Sequence, residues 1–160
     1  MRSRVLALLA LVLLAACGSE SPTTVTNLPN VAGTYTGYNI WLVQFKRTSD
    51  GYSGAFNCNG SVTIVQSRAG QLSGFAVVSS PCPPLSFDLS GGVGPDGSVT
   101  FTTGGPKPSV GQCPAAAAAT YAGLVSDKVL SARSSADIFC PGPGEGPHRF
   151  DYILTARLNN

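Results

Sequence analysis

The chain has 160 residues, 43% of them hydrophobic, which suffices for one domain with a core and argues against wholesale disorder. Its formal charge of +2 traces to Arg2 and Arg4 near the start; the other eight basic residues balance the eight acidic ones. No basic stripe remains to neutralise phosphates or anionic headgroups, which argues against nucleic-acid binding and against attachment to membranes through a polybasic patch.

The first element is a leader. Met1-Arg2-Ser3-Arg4 is a basic start, Val5 to Ala16 is an apolar run, and Cys17 follows. That is the layout of a secretory signal over residues 1–16, and the run is shorter than the ~20 residues a transmembrane helix needs. Leu14-Ala15-Ala16-Cys17 resembles the lipobox of bacterial lipoproteins: a branched apolar residue, two small ones, then cysteine. The resemblance implies cleavage before Cys17 and a thioether-linked diacylglycerol on its sulfur, usually with an acylated amino group. Two or more acyl chains anchor stably where one does not. Cys17 is then a membrane anchor rather than a catalytic group. The absence of Asp beside it is, by the same resemblance, compatible with sorting to an outer membrane. Residues 17–30 are polar and proline-punctuated and read as the lipidated cysteine with a flexible tether; residues 31–160 form the domain.

From Val31 onward the pattern is strands and turns. Gly33–Lys46 is rich in Thr, Tyr, Ile, Trp, Val and Phe, and Thr48–Gly51 reads as a turn. Tyr52–Asn57 predicts a short strand, closed by Asn59-Gly60 as a turn signal. Ser61–Ser67 and Gln71–Ser79 flank Arg68-Ala69-Gly70; Leu85–Ser90 follows, and Pro95-Asp96-Gly97 leads into Ser98–Thr103. Ala115–Ala119 reads equally as one helical turn or a strand start. Thr120–Val125 and Lys128–Ser134 flank Ser126-Asp127, and His148–Leu158 closes the chain. The count is eight to nine strands at hairpin spacing with no strand–helix–strand alternation. The expected class is all-β: an antiparallel meander forming a small barrel, with a β-sandwich as the alternative. In the last strand Phe150, Tyr152, Leu154, Ala156 and Leu158 share one face. In the first strand Tyr35, Trp41, Val43 and Phe45 share a face while Tyr38, Ile40 and Leu42 oppose them. Either both faces are covered or a bulge near Gly37 shifts the register. Short echoes recur at Gln71-Leu72-Ser73-Gly74, Leu89-Ser90-Gly91 and Leu130-Ser131-Ala132, as repeated units or as coincidence.

Cys58, Cys82, Cys113 and Cys140 are an even set in an exported domain, so disulfides are the default reading. In the hairpin about Arg68–Gly70, Cys58 falls opposite residue 81, next to Cys82. In the hairpin about Ser126-Asp127, Cys113 falls opposite Cys140. The expected bonds are Cys58–Cys82 and Cys113–Cys140. A metal site of four cysteines is the competing reading, but no C-x₂-C pair exists and three of the cysteines precede proline.

Chemistry is sparse. His148 is the one histidine, and it reads as a rim residue of the last strand; no resident metal or cofactor is expected. Catalytic signatures such as Ser-x-x-Lys, Gly-x-Ser-x-Gly and His-Glu-x-x-His are absent, and no catalytic residue is assigned. The carboxylates are scattered, with Asp50, Asp96 and Asp127 at turns. Gly142–Gly146 lacks the Lys-Ser/Thr and the helix of a phosphate cradle, and Asn59-Gly60-Ser61 fits a sequon but reads as a turn. Tyr35, Tyr38, Trp41 and Tyr152 are the candidate aromatics, as core or as the lining of a ligand pocket or interface.

Val31-Ala32-Gly33-Thr34-Tyr35 on the first strand and Arg157 on the last resemble the lipocalin-like (calycin) barrels, where a Gly-x-Trp packs against a late basic residue. Tyr35 stands at the tryptophan position here, and no C-terminal helix is evident. The resemblance implies a closed barrel whose mouth accepts a small apolar ligand. Three functions follow as expectations. The first is a non-enzymatic envelope lipoprotein binding a small hydrophobic molecule or an envelope component in or at a barrel lined by Trp41 and Tyr152. The second is a structural or protein-interaction lipoprotein with a filled barrel. The third is a hydrolase with converging carboxylates or His148. An open or a filled interior separates the first two.

Overall fold

The computed structural model describes residues 27–103, 113, 118–142 and 145–159. The leader, Cys17 and the first part of the tether lie outside the described residues, as do residues 115–117. Eight strands run in order: β1 (Gly33–Arg47), β2 (Ser53–Gln66), β3 (Gln71–Ser79), β4 (Leu85–Val93), β5 (Ser98–Thr103), β6 (Ala119–Ser126), β7 (Val129–Cys140) and β8 (Gly146–Leu158). Each pairs antiparallel with the next, and β8 returns to β1, closing the barrel. The barrel form of the expected all-β meander is therefore observed, and the sandwich alternative is not.

The alternation along each strand explains the closure. On β8, Phe150, Tyr152, Leu154 and Ala156 are buried, while Thr155 and Arg157 between them are exposed. Apolar side chains point inward and mostly polar ones outward, the reverse of a membrane-spanning barrel. On β1 the register slips between Gly37 and Trp41 against both neighbours, so a bulge resolves the conflict between its faces. Asn39 takes φ 55° there, and its N–H donates to Asn59 Oδ1 at 2.8 Å. The bulge throws Tyr38 outward and lets Ile40 and Trp41, adjacent in sequence, both be buried.

Several expectations need correction. Asn59-Gly60 is not a turn; it lies inside β2, which runs unbroken, so the strands number eight. Asn59 holds the bulge instead, and Gly60 lets β3 approach, since a Cβ there would strike the Val77 carbonyl. The β6–β7 turn is Asp127-Lys128, one residue later than expected, with φ of 51° and 65°. Both central residues thus take the positive φ that a type I′ turn demands. Strand β7 runs to Cys140 rather than stopping at Ser134, because its ladder with β8 continues from Ser134↔Tyr152 to Cys140↔Gly146. Arg157 is exposed and pairs with Thr36, so it does not pack on the inward-facing Tyr35. The Tyr35 hydroxyl donates to the Val31 carbonyl at 2.8 Å instead.

The Leu-Ser echoes have a structural meaning on β3 and β4. Leu72 lies opposite Gly91, Gly74 opposite Leu89, and Ser73 opposite Ser90. Both leucines are buried, and each glycine opposite admits the backbone of the strand on its other side, β2 at Gly74 and β5 at Gly91. A Cβ on Gly74 would run into the Thr63 carbonyl of β2, a backbone atom that cannot swing away. Gly74→Ala should therefore lower the free energy of unfolding by about 2–3 kcal/mol, as for overpacking in a filled core. A loss of less than about 0.3 kcal/mol in urea unfolding would contradict the close approach.

The two barrel ends differ. At one, Val31 and Asn159 meet the tight turns after β2, β4 and β6. Backbone bonds stitch this rim: Val93 N–H to Gly70 O, Val125 N–H to Gly97 O, Leu158 N–H to Lys128 O and Asn159 N–H to Thr34 O. The last tether residues are fastened there too. Gln66 accepts from Val31 N–H at 2.8 Å and donates to the Pro29 carbonyl at 3.0 Å. The opposite end carries the connections β1–β2, β3–β4, β5–β6 and β7–β8, and the Cys113–Cys140 bridge.

Candidate functional site

The interior is aromatic at mid-height. Trp41 comes from β1, whose barrel neighbours are β2 and β8, yet its ring meets Phe87 of β4 and Tyr121 of β6. Both contacts are edge-on, with centroids 5.7 and 5.6 Å apart. The indole therefore spans the lumen rather than lining one wall. Phe101 stacks on Tyr121 at 5.2 Å, and Phe45, Phe150 and Tyr152 form a second stack at 6.0 and 6.2 Å. Trp41 is 2% exposed, and its indole N–H has no acceptor among the described residues. Burial raises the Tyr121 phenol far above its ordinary range, with the Tyr152 phenol adding to the effect, and burial pushes Tyr152 up to about 12. The phenols stay neutral across all physiological pH, as a filled apolar interior requires.

Of the candidate aromatics, Trp41 sits at mid-barrel, Tyr152 in the second stack on β8, and Tyr35 near the stitched rim, whereas Tyr38 is not core, because the bulge turns it out to solvent. The sequence reading did not single out Phe87, Phe101 and Tyr121, which complete the plug. The strict alternation in Ser98–Thr103 and Ala119–Ser126 carried that signal, since Phe101 and Tyr121 are the large residues on the inward faces of these strands.

The outer wall divides by charge. On β7, β8 and β1 it carries Arg133, Asp137, Arg149, Asp151, Arg157 and Lys46, with Arg149 between Asp137 at 3.3 Å and Asp151 at 3.7 Å. From β2 to β6 the outward positions are Ser, Thr, Asn, Gln, Val, Phe, Ala and Leu, with Asp88 the charged exception on these strands. Val65 and Phe75 are exposed there, and Tyr38 is 92% exposed at the bulge. Beneath Tyr38 lies a shallow groove of about 460 Å³ lined by Thr36, Asn59, Ser61, Val77 and Ser79, with no charged side chain.

The carboxylates that the sequence left scattered are placed on the outside. Asp96 accepts from the Ser98 N–H in its turn, and Ser135 donates to Asp151 at 2.6 Å. Asp50 is held at about 2, first by hydrogen bonds from the Arg47 guanidinium and then by the Tyr52 N–H. Since the folded-state value is depressed, the pair's contribution is complete above about pH 4 and is lost as the pH falls toward 2. Arg47→Gln should return the Asp50 midpoint most of the way toward 4 in a carboxyl-carbon NMR titration; an unmoved midpoint would mean that the guanidinium does not set it.

Both expected disulfides are present, Cys58–Cys82 and Cys113–Cys140. His148 is buried at the rim, and its Nδ1 lies 3.0 Å from the Gly146 carbonyl. Comparison with protein-family models, with curated proteins and with solved structures gives no match. What the fold and site define is a class: a disulfide-bonded, eight-stranded antiparallel barrel whose interior is crossed by Trp41, with one charge-poor wall.

Proposed function

We propose that the chain is an exported bacterial lipoprotein, anchored through lipid on Cys17 in the cell envelope, in an outer membrane where one exists. Its lipocalin-like barrel works through its outer surface on another envelope component. The observation that carries this reading is Trp41. An indole that touches β4 and β6 from β1 occupies the space a lumen ligand would need. The surface reading is thereby favoured over a small apolar ligand held inside. The charge-poor wall with Tyr38, Val65, Val77 and Phe75 is the face suited to contact, because little charge must be desolvated there. The tether reaches the barrel at the stitched rim, so that end faces the membrane and the disulfide-tied end faces away. The hydrolase reading draws no support from carboxylates engaged with arginine and turn amides on the outside.

Trp41 is the one tryptophan of the chain and reports on the lumen directly. Titration with a fluorescent fatty-acid analogue should leave its emission unchanged. Saturable quenching at one equivalent would replace the surface reading with a lumen ligand. For the anchor, cells expressing the full chain should incorporate labelled palmitate, and Cys17→Ser should abolish both labelling and membrane recovery. A Cys17→Ser chain still labelled would end the lipoprotein reading.

A further inference from the structure

The two disulfides stand in different surroundings. Cys58 and Cys82 are both buried. Among the described residues, the one cluster of potential metal ligands is at the other bridge: Cys113, Cys140 and His148, whose ligand atoms all lie within 4.8 Å of one another. Three separate segments supply them. Cys113 belongs to the β5–β6 connection and is only partly buried, Cys140 ends β7, and His148 lies near the start of β8. The Gly146 carbonyl can only accept, so the His148 Nδ1 donates to it and Nε2 keeps a free lone pair. Donation of the second ring N–H to a backbone carbonyl is how metal-binding imidazoles are oriented.

We propose that Cys113, Cys140 and His148 form a reductively opened site for one thiophilic d¹⁰ cation of the zinc or cuprous class. This goes beyond the surface function and does not rest on it. The reductant is a dithiol. One of its thiolates attacks the Cys113 sulfur, the more exposed of the pair; a mixed disulfide forms and Cys140 leaves as thiolate. The second thiolate of the reductant then displaces Cys113 and closes the reductant into its own disulfide. Two electrons pass to the cystine, and the two protons of the dithiol end on Cys113 and Cys140. The incoming cation releases those protons to solvent and takes two thiolate sulfurs and the imidazole nitrogen, with a fourth position for water. The oxidised bridge is the closed form of the site. The thiolate pair suits a soft ion and disfavours calcium or magnesium, which take oxygen ligands.

The test uses the full chain carrying Cys17→Ser, so that no other free thiol is present. Mild reduction under native conditions, followed by alkylation and mass analysis, should label Cys113 and Cys140 and leave Cys58–Cys82 intact. With the reductant removed, titration of Zn²⁺ against a chromophoric chelator should give one ion per chain with a dissociation constant below about 1 μM. Bound zinc should shield both cysteines from alkylation, and the oxidised chain should take up none. His148→Ala should weaken binding at least about tenfold, with circular dichroism reporting the fold. If that variant does not fold, Cys113→Ser serves, with stoichiometric uptake expected to disappear. The proposal is overturned if the reduced chain binds no zinc, if the oxidised chain binds as much, if the folded variant binds as tightly, or if both disulfides are reduced alike.

Discussion

Replacing Trp41 with alanine should lower the free energy of unfolding by about 3–5 kcal/mol, read as a fall in the urea midpoint at unchanged slope. The ring is 2% exposed and meets walls contributed by β4 and β6. Each of those strands is held by ladders on both sides, so neither can move in to fill the gap. The cost thus combines lost transfer energy with a cavity term that relaxation cannot remove. Trp41→Phe should behave differently. It keeps an aromatic contact across the lumen and discards an indole N–H that has no acceptor among the described residues, an arrangement that itself costs about 1–3 kcal/mol. The loss of ring area and the relief of that donor oppose each other, so the phenylalanine variant should fall within about 1 kcal/mol of the parent. The alanine variant should also acquire a dry apolar cavity that binds benzene, visible as stabilisation that grows with benzene concentration and exceeds any shown by the parent. An alanine variant as stable as the parent and indifferent to benzene would show that Trp41 does not plug the barrel, and the surface function would lose its main support.

Much of this was legible along the chain because a barrel strand has a period of two, and the inward set of β8 can be read directly from Phe150 to Ala156. The disulfide pairing was legible for the same reason, since hairpin register brings sequence-distant cysteines together. Yet the observed β6–β7 ladder pairs Ala122 with Arg133 and Val125 with Leu130, two positions from the expected register. The Cys113–Cys140 bond tolerates the shift because Cys113 lies outside the ladder, in the connection before β6. What the chain did not disclose was lumen occupancy. Whether Trp41 lines a pocket or crosses it depends on which side chains face it from β4 and β6, and that follows from closure rather than from any local pattern. The misreading of Asn59-Gly60 has a similar cause. The dipeptide is a good turn former locally, but here the asparagine pins the β1 bulge and the glycine admits β3, both tertiary demands. His148 was placed at the rim correctly, while its proximity to a disulfide whose cysteines precede it by 8 and 35 residues could not be read from spacing.

Removing the Cys58–Cys82 bond, as Cys58→Ala with Cys82→Ala, should cost about 3 kcal/mol or more, because two effects add. The bond closes a loop across a sequence separation of 24, which in the chain-entropy treatment restricts the unfolded ensemble by about 3.5 kcal/mol at room temperature. Cys58 also lies directly opposite Trp41 in the β1–β2 ladder, and it is fully buried. The bond therefore ties the β3–β4 connection onto β2 beside the residue that fills the lumen, and two alanines leave that flank of the indole thinly packed. Coupling should follow from the adjacency: combined with Trp41→Ala, the double alanine variant should cost less than the separate losses together, since the second change acts on a site already loosened. The corresponding pair Cys113→Ala with Cys140→Ala closes a similar sequence separation of 27 but lies at the rim, away from the plug. It should match the entropic part alone and add independently to Trp41→Ala. Urea unfolding of the five variants decides the matter: equal losses and equal additivity for the two bridges would mean that Cys58–Cys82 acts only on the unfolded chain and has no part in seating Trp41.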